Sequence, residues 1–393
     1  MSLQDLTEIE DLVSYEILKR EEAKAPYIMQ GNPEDKTLDI YHLILAPTHA
    51  CNLRCKHCYL PDHTEEFLPK DVALRIVDEW SEIVLEERGQ YGGIFHVKGG
   101  EPFMVPYLED VLDRLSELQS LRLMMTTNGT FVDENIFRML YSCNDALNGH
   151  VTIIVSLDGA TEKTHAILRG KGQFAKTLKF LERLQKYGLS FYLNCVLHKG
   201  NIHELSEYID IANAYGACQV NFLSFVPRGM GSDLRLFQIP HLDVYKHLSK
   251  IYENADEATR KLLAGSLPHI KHRETYEHCQ TSNECVAAYQ GLFYITPDGY
   301  VYPCPNIVST EFTIGNVCRE NLRDISDNRV ALYKKINPYA GAYLCAGEKM
   351  LYERNKDLSC VNMIYDLQKN LSKNHHSTKL ESLTTSYCFN RNW

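Results

Sequence analysis

Cys51, Cys55 and Cys58 fall within eight positions, in the run His49-Ala50-Cys51-Asn52-Leu53-Arg54-Cys55-Lys56-His57-Cys58-Tyr59. Three thiolates this close form a claw for a metal ion or an iron–sulfur cluster, one ligand short of the four that close a site. A short claw leaves one iron with an open position, where a reacting molecule can bind. Two plainer arrangements use the same residues: a buried trio of free thiols, or a zinc knuckle completed by His49 or His57. Zinc knuckles favour paired two-residue gaps, whereas here a three-residue gap precedes a two-residue gap. A disulfide framework does not suit a chain of 393 residues with no secretory signal.

Other chemistry-bearing residues recur where apolar runs end. Lys98-Gly99-Gly100-Glu101-Pro102 follows one such run, and its two glycines let the backbone approach a neighbour closely. Thr127-Asn128-Gly129 follows the next, and Ser156 and Asp158 the one after. Arg169 lies in His165-Ala166-Ile167-Leu168-Arg169-Gly170, and a guanidinium matches a carboxylate with two parallel hydrogen bonds. Asn194 and Leu197 belong to a fifth apolar segment. A second cysteine set follows: Cys279-x5-Cys285, then Gly299-x4-Cys304, then Cys345 and Cys360. Cys143, Cys195, Cys218, Cys318 and Cys388 lack ligand spacing and read as core or surface thiols.

The elements that must position these residues alternate regularly. Strand-like segments run near 41–46, 93–98, 121–126, 151–156, 189–196 and 218–225, and amphipathic stretches at 69–87, 106–119, 173–187 and 202–215 read as helices. Repeated strand–helix units predict an α/β fold with a parallel sheet and right-handed crossovers, although six units are too few for a closed eight-unit barrel. The cysteine claw then sits on the loop leaving the first strand, the end at which α/β barrels place their active sites. An Asp298-Gly299 turn predicts a hairpin just before Cys304.

Composition narrows the function further. With 44% apolar residues the chain can build a sizeable core, and a formal charge of −10 argues against a general nucleic-acid binder. No apolar run reaches the length of a membrane span, so no membrane partner and a cytoplasmic location are expected. Thirteen cysteines in such a compartment point to metal ligation rather than disulfides.

Cys-x3-Cys-x2-Cys with an aromatic residue, Tyr59, after the last cysteine resembles the cluster loop of radical SAM enzymes. The resemblance implies a [4Fe–4S] cluster on three thiolates and S-adenosylmethionine on the uncovered iron. Electron transfer to that cofactor would give a 5′-deoxyadenosyl radical. It also implies the open barrel of that family, a partial (β/α)6 TIM-like barrel with a small α+β C-terminal iron–sulfur domain. Gly99, Gly100, Glu101 and Pro102 resemble the family's GGEP motif, which receives the cofactor's amino group. Tyr59, Thr127, Asn128, Ser156, Asp158, Arg169, Asn194 and Leu197 are the remaining expected cofactor contacts. Among them Ser156 is favoured over Asp158 for the ribose, and Arg169 is matched to the cofactor carboxylate.

The second cysteine set resembles the opening of the SPASM/twitch pattern of auxiliary clusters, but the later run of close cysteines is missing. One auxiliary [4Fe–4S] cluster is therefore expected on Cys279, Cys285 and Cys304. Cys345 or Cys360 would be its fourth ligand, or that position would be open. The expected divisions are an extension at 1–40, the barrel at 41–228, a helical bridge at 229–275, the auxiliary-cluster domain at 276–362 and a tail at 363–393. Relatives with such domains mostly modify peptides, so a peptide substrate and a ferredoxin or flavodoxin as reductant are implied. The same chemistry on a tetrapyrrole or another small molecule is the alternative, and a non-enzymatic metal-binding module is a third possibility. Pro305 stands where anaerobic sulfatase maturases carry an Asp base, which counts against that activity.

Overall fold

The computed structural model describes residues 42–60, 62–88, 93–118, 121–225, 229–239, 241–263, 292–305, 308 and 310–328. Cys279, Cys285, Cys345, Cys360 and Cys388 lie outside the described residues, as do the expected extension at 1–40 and tail at 363–393. Two compact units are formed, one from residues 38–238 and 286–335 and the other from 1–37, 239–285 and 336–393. Within the second of these, the described elements are two helices, His241–Asn254 and Glu257–Leu263.

The first unit is built on strand–helix alternation. Its strands are β1 (His42–Leu45), β2 (Ile94–Val97), β3 (Arg122–Thr127), β4 (Val151–Ser156), β5 (Phe191–Leu197) and β6 (Gln219–Ser224). The helices between them are α1 (Lys70–Arg88), α2 (Leu108–Ser116), α3 (Glu134–Ala146), α4 (Glu162–Arg169), α5 (Gln173–Lys186) and α6 (Leu205–Tyr215). Neighbouring strands pair in parallel in the order of the chain. The sheet then continues past β1 through β7 (Leu292–Ile295), β8 (Tyr300–Tyr302) and β9 (Gly315–Asn316). Among the described strands its edges are β6 and β9, so the barrel they form stays open, as the count of six strand–helix units predicts.

Register divides the sheet into two faces. Leu43, Leu45, Phe95, Val97, Leu123, Met125, Ile153, Val155 and Leu193 share one face and are fully buried. The opposite face carries His42, His96, Thr126, Ser156, Asn194 and Asn221. A parallel sheet packed on both sides reads as continuous apolar strands, so a row of polar side chains marks a face that lines a site. His96 shows this directly. It is 2% exposed, its Nε2 is 2.8 Å from Thr126 Oγ1, and its Nδ1 has no hydrogen-bond partner.

β7 pairs in parallel with β1, and β8 folds back antiparallel on β7. The Asp298-Gly299 turn drives that reversal, because Gly299 takes φ 82, a backbone state that costs other residues a steric penalty. Helix α1 fixes the segment that follows. Arg75 donates to the Val317 carbonyl, and Glu79 accepts the Leu322 amide at 2.6 Å.

Candidate active site at the strand ends

The claw loop leaves β1 and is tied to three other parts of the barrel. Lys56 N donates to Leu168 O at 2.8 Å, and Met230 N donates to Cys58 O at 3.0 Å. From β2, Gly100 N donates to Thr48 O and Glu101 N to Ala50 O, both at 2.8 Å. The glycines are required by this approach. A Cβ on Gly100 would lie 2.1 Å from Ala50 O, and one on Gly99 would lie 2.4 Å from Thr48 O. The Gly99-Gly100 turn thus carries the cysteine loop on its own backbone.

Glu101 turns its carboxylate inward. It is fully buried and accepts hydrogen bonds from Thr127 Oγ1 at 2.7 Å and Asn128 N at 2.8 Å. It also caps the short turn Pro102–Met104, accepting from Phe103 N. Burial pushes its carboxyl up to about 7 against the pull of those donors. Thr127 and Glu101 therefore form an internal staple between β2 and β3. Asn128 extends it toward the cysteines, its Nδ2 lying 2.9 Å from Asn52 Oδ1 and 3.8 Å from Cys51 Sγ. Asn52 and Thr130 complete this network at 2.8 Å, and neither is apparent from the linear motif.

Across the claw, α4 delivers Arg169. Thr161 and Thr164 form a capping box at its start, and Gly170 at φ 89 stops it one residue after Arg169. Arg169 Nε donates to Asp158 Oδ2 at 2.5 Å, and its Nη1 lies 3.8 Å from Cys55 Sγ. Asp158, fully buried at the end of β4, also accepts from Val196 N of β5 at 2.8 Å and faces His57 Nε2 at 3.4 Å. Burial alone would raise the Asp158 carboxyl, but the Arg169 guanidinium, His57 and the Val196 amide together outweigh it and hold it at about 2. Asp158 thus spends its carboxylate on arginine, histidine and a backbone amide. His57, inside the claw, was weighed from sequence only as a zinc ligand, and burial lowers it to about 4.

Ser156 and Asn194 sit side by side in register on the polar face. Asn194 Oδ1 accepts from Asn221 Nδ2 at 2.9 Å, and Asn221 Oδ1 accepts from Gln219 Nε2 at 2.6 Å, extending the polar row across β6. Alternation along β5 puts Leu197, 2% exposed, on the opposite, apolar face with Leu193 and Cys195. Tyr59 is 41% exposed, and its hydroxyl is 3.5 Å from Gly99 O. The Lys98 ammonium lies 5.6 Å from the ring centres of both Tyr59 and Tyr294.

The donor set suits an iron–sulfur cluster on three thiolates. Cys51, Cys55 and Cys58 are free thiols on one short loop, and burial pushes Cys51 up to about 11. A metal must therefore displace their protons. Leu53 N, Asn128 Nδ2 and Arg169 Nη1 approach two of the sulfurs at 3.4, 3.8 and 3.8 Å, the donors that a cluster's sulfurs accept. Cys304, two residues beyond β8, is buried, while Cys143 and Cys195 pack in the core and Cys218 and Cys318 are exposed.

Residues 45–212 match the Radical SAM superfamily, and residues 285–347 match the SPASM iron-sulfur cluster-binding domain. The chain is 26% identical over 309 residues to an AdoMet-dependent heme synthase of Methanosarcina barkeri, covering 74% of this chain and 83% of that one. It is also 26% identical over 305 residues to the mycofactocin maturase MftC of Mycobacterium ulcerans, covering 76% and 77%. Its fold is similar to that of Streptococcus suis SuiB bound to the precursor peptide SuiA. That match has a TM-score of 0.60 and 16% identity, covering 76% of this chain and 67% of that one. With the claw, the open barrel and both matches together, residues 45–212 carry a radical SAM domain and residues 285–347 a SPASM iron–sulfur domain.

Proposed function

We propose that this radical SAM enzyme modifies a ribosomally made peptide, forming a crosslink, an epimer or an oxidised residue. The observation that carries this proposal is the similarity to a mycofactocin maturase, which extends over 305 residues and so covers more than the barrel. The fold likeness to a protein solved with its precursor peptide supports it. When bound, the [4Fe–4S] cluster and S-adenosylmethionine supply an electron and a 5′-deoxyadenosyl radical that abstracts hydrogen from the substrate. Cys51, Cys55 and Cys58 would hold that cluster, and Gly99 and Gly100 would present backbone to the cofactor. The polar row of Ser156 and Asn194 would face its ribose. Cys279, Cys285 and Cys304, with Cys345 or Cys360, would hold one auxiliary cluster. In this assignment the barrel spans 41–228 and the auxiliary-cluster domain 276–362. A ferredoxin or flavodoxin of the cytoplasm would supply electrons; no described helix is long and apolar enough to cross a membrane.

The test is the mass change of a peptide encoded by a short reading frame beside the gene, incubated with reduced protein and S-adenosylmethionine. A defined change that requires both supports the proposal, and an unchanged peptide across all neighbouring frames removes it. The similarity to a heme synthase favours a second reading, action on a tetrapyrrole or another small molecule. Turnover of an iron porphyrinoid under the same conditions, with peptides left unchanged, would establish that reading instead.

A further inference from the structure

We propose that the Asp158–Arg169 pair sets the reduction potential of the cluster held by Cys51, Cys55 and Cys58. The two edges of the claw receive different donors. Cys51 faces neutral groups, Leu53 N at 3.4 Å and Asn128 Nδ2 at 3.8 Å. Cys55 faces a cation, Arg169 Nη1 at 3.8 Å, with the Arg169 side chain only 10% exposed. Reduction adds one negative charge to a cluster and its sulfurs, and a donor cation in a poorly solvated position stabilises that charge.

Asp158 moderates the effect. It grips the same guanidinium at 2.5 Å and is itself fixed by Val196 N at 2.8 Å. Arg169 is further immobilised because its helix ends against the claw, where Leu168 O accepts Lys56 N at 2.8 Å. The pair therefore presents an oriented hydrogen bond to Cys55 with its net charge largely cancelled. Two opposite responses follow. Removing the cation leaves the Asp158 carboxylate near the cluster and lowers the potential. Removing the carboxylate leaves Arg169 unopposed and raises it.

The test is potentiometric titration of the anaerobically reconstituted full chain. It follows the electron-spin-resonance signal that changes on adding S-adenosylmethionine, which reports this cluster alone. Arg169→Gln is expected to weaken reduction about tenfold, which is about 59 mV for one electron. Asp158→Asn is expected to move the potential the other way. Arg169→Lys, which keeps the charge but loses the fixed fork, is expected to fall between Arg169→Gln and the wild type.

Arg169→Gln strands a buried carboxylate and risks failing to fold, so Asp158→Asn and the double variant Asp158→Asn/Arg169→Gln carry the test independently. Unchanged potentials, shifts of the same sign in both single variants, or loss of iron in every variant would overturn the inference and leave the pair a structural role only. This inference rests on the claw holding a cluster. A wild-type chain with no signal responsive to S-adenosylmethionine would refute that underlying assignment, a distinct result from a normal cluster with unmoved potential.

Discussion

The claw and Cys304 both follow strands of one sheet, yet they are assembled in opposite ways. Cys51, Cys55 and Cys58 share a single loop after β1, and backbone bonds from the β2 end, from Leu168 and from Met230 hold that loop. Cys304 follows a tight hairpin whose strand β7 pairs with that same β1 and whose strand β8 runs back antiparallel, away from the strand end that carries the claw. Its candidate partners in the sequence are scattered from Cys279 to Cys360. A local claw needs only one loop to be shaped, whereas a dispersed set must first close long stretches of chain, at an entropic cost that grows with their length. The first site can therefore be damaged from a few positions, and damage to the second should leave the first intact.

The largest effect expected is from any one of Cys51→Ala, Cys55→Ala or Cys58→Ala. Each should abolish 5′-deoxyadenosine formation and remove the signal that responds to S-adenosylmethionine. Cys304→Ala should instead lower iron from about eight to about four per chain while cleavage of the cofactor without substrate persists. If Cys304→Ala also stops that cleavage, the two regions are not separable in this way.

The glycines give a smaller and more local contrast. Gly100→Ala drives a methyl to 2.1 Å from Ala50 O, a backbone atom that cannot swing aside. It should lose on the order of 2–4 kcal/mol of stability, together with iron at the claw. Gly299→Ala meets the Cys318 side chain at 2.5 Å and must hold φ 82, so it should cost about 1–2 kcal/mol and affect the hairpin first. Denaturant melts with iron analysis separate these outcomes, and equal iron loss from the claw in both variants would break the contrast.

The smallest effect concerns pH. The folded-state carboxyl of Glu101 is raised by burial to about 7, above its ordinary 4.5. The folded protein then holds that proton more tightly than the unfolded chain, so stability falls as pH rises between those two values. Glu101→Gln should flatten the slope of stability against pH over that window. A slope that is the same in variant and parent would show that Glu101 is not its source.

Much of the scaffold was legible because periodicity is a local signal. The six parallel strands fall within about two residues of the segments read from the sequence. The Asp298-Gly299 hairpin likewise follows from its turn chemistry. Helix α4 was not marked as a helix, since eight residues span barely two turns of the period, and its start is set by the capping box that Thr161 and Thr164 form in the fold. The roles of Glu101, Asp158 and Arg169 were harder to read. Glu101 and Asp158 read from the sequence as cofactor contacts at strand ends, and the fold adds what the sequence does not display, the bonds of their carboxylates to Thr127, Asn128, Arg169 and Val196, partners far away in the chain. Motif spacing reports which residues are near a site. Which way a carboxylate turns depends on donors that only the folded sheet brings together.

The most direct measurement is 5′-deoxyadenosine released by the anaerobically reconstituted, reduced chain given S-adenosylmethionine, beside the triple variant Cys51→Ala/Cys55→Ala/Cys58→Ala. The wild type should release it and the triple variant should release none. A wild-type chain that holds its iron yet releases none, or a triple variant that still does, would contradict the central claim.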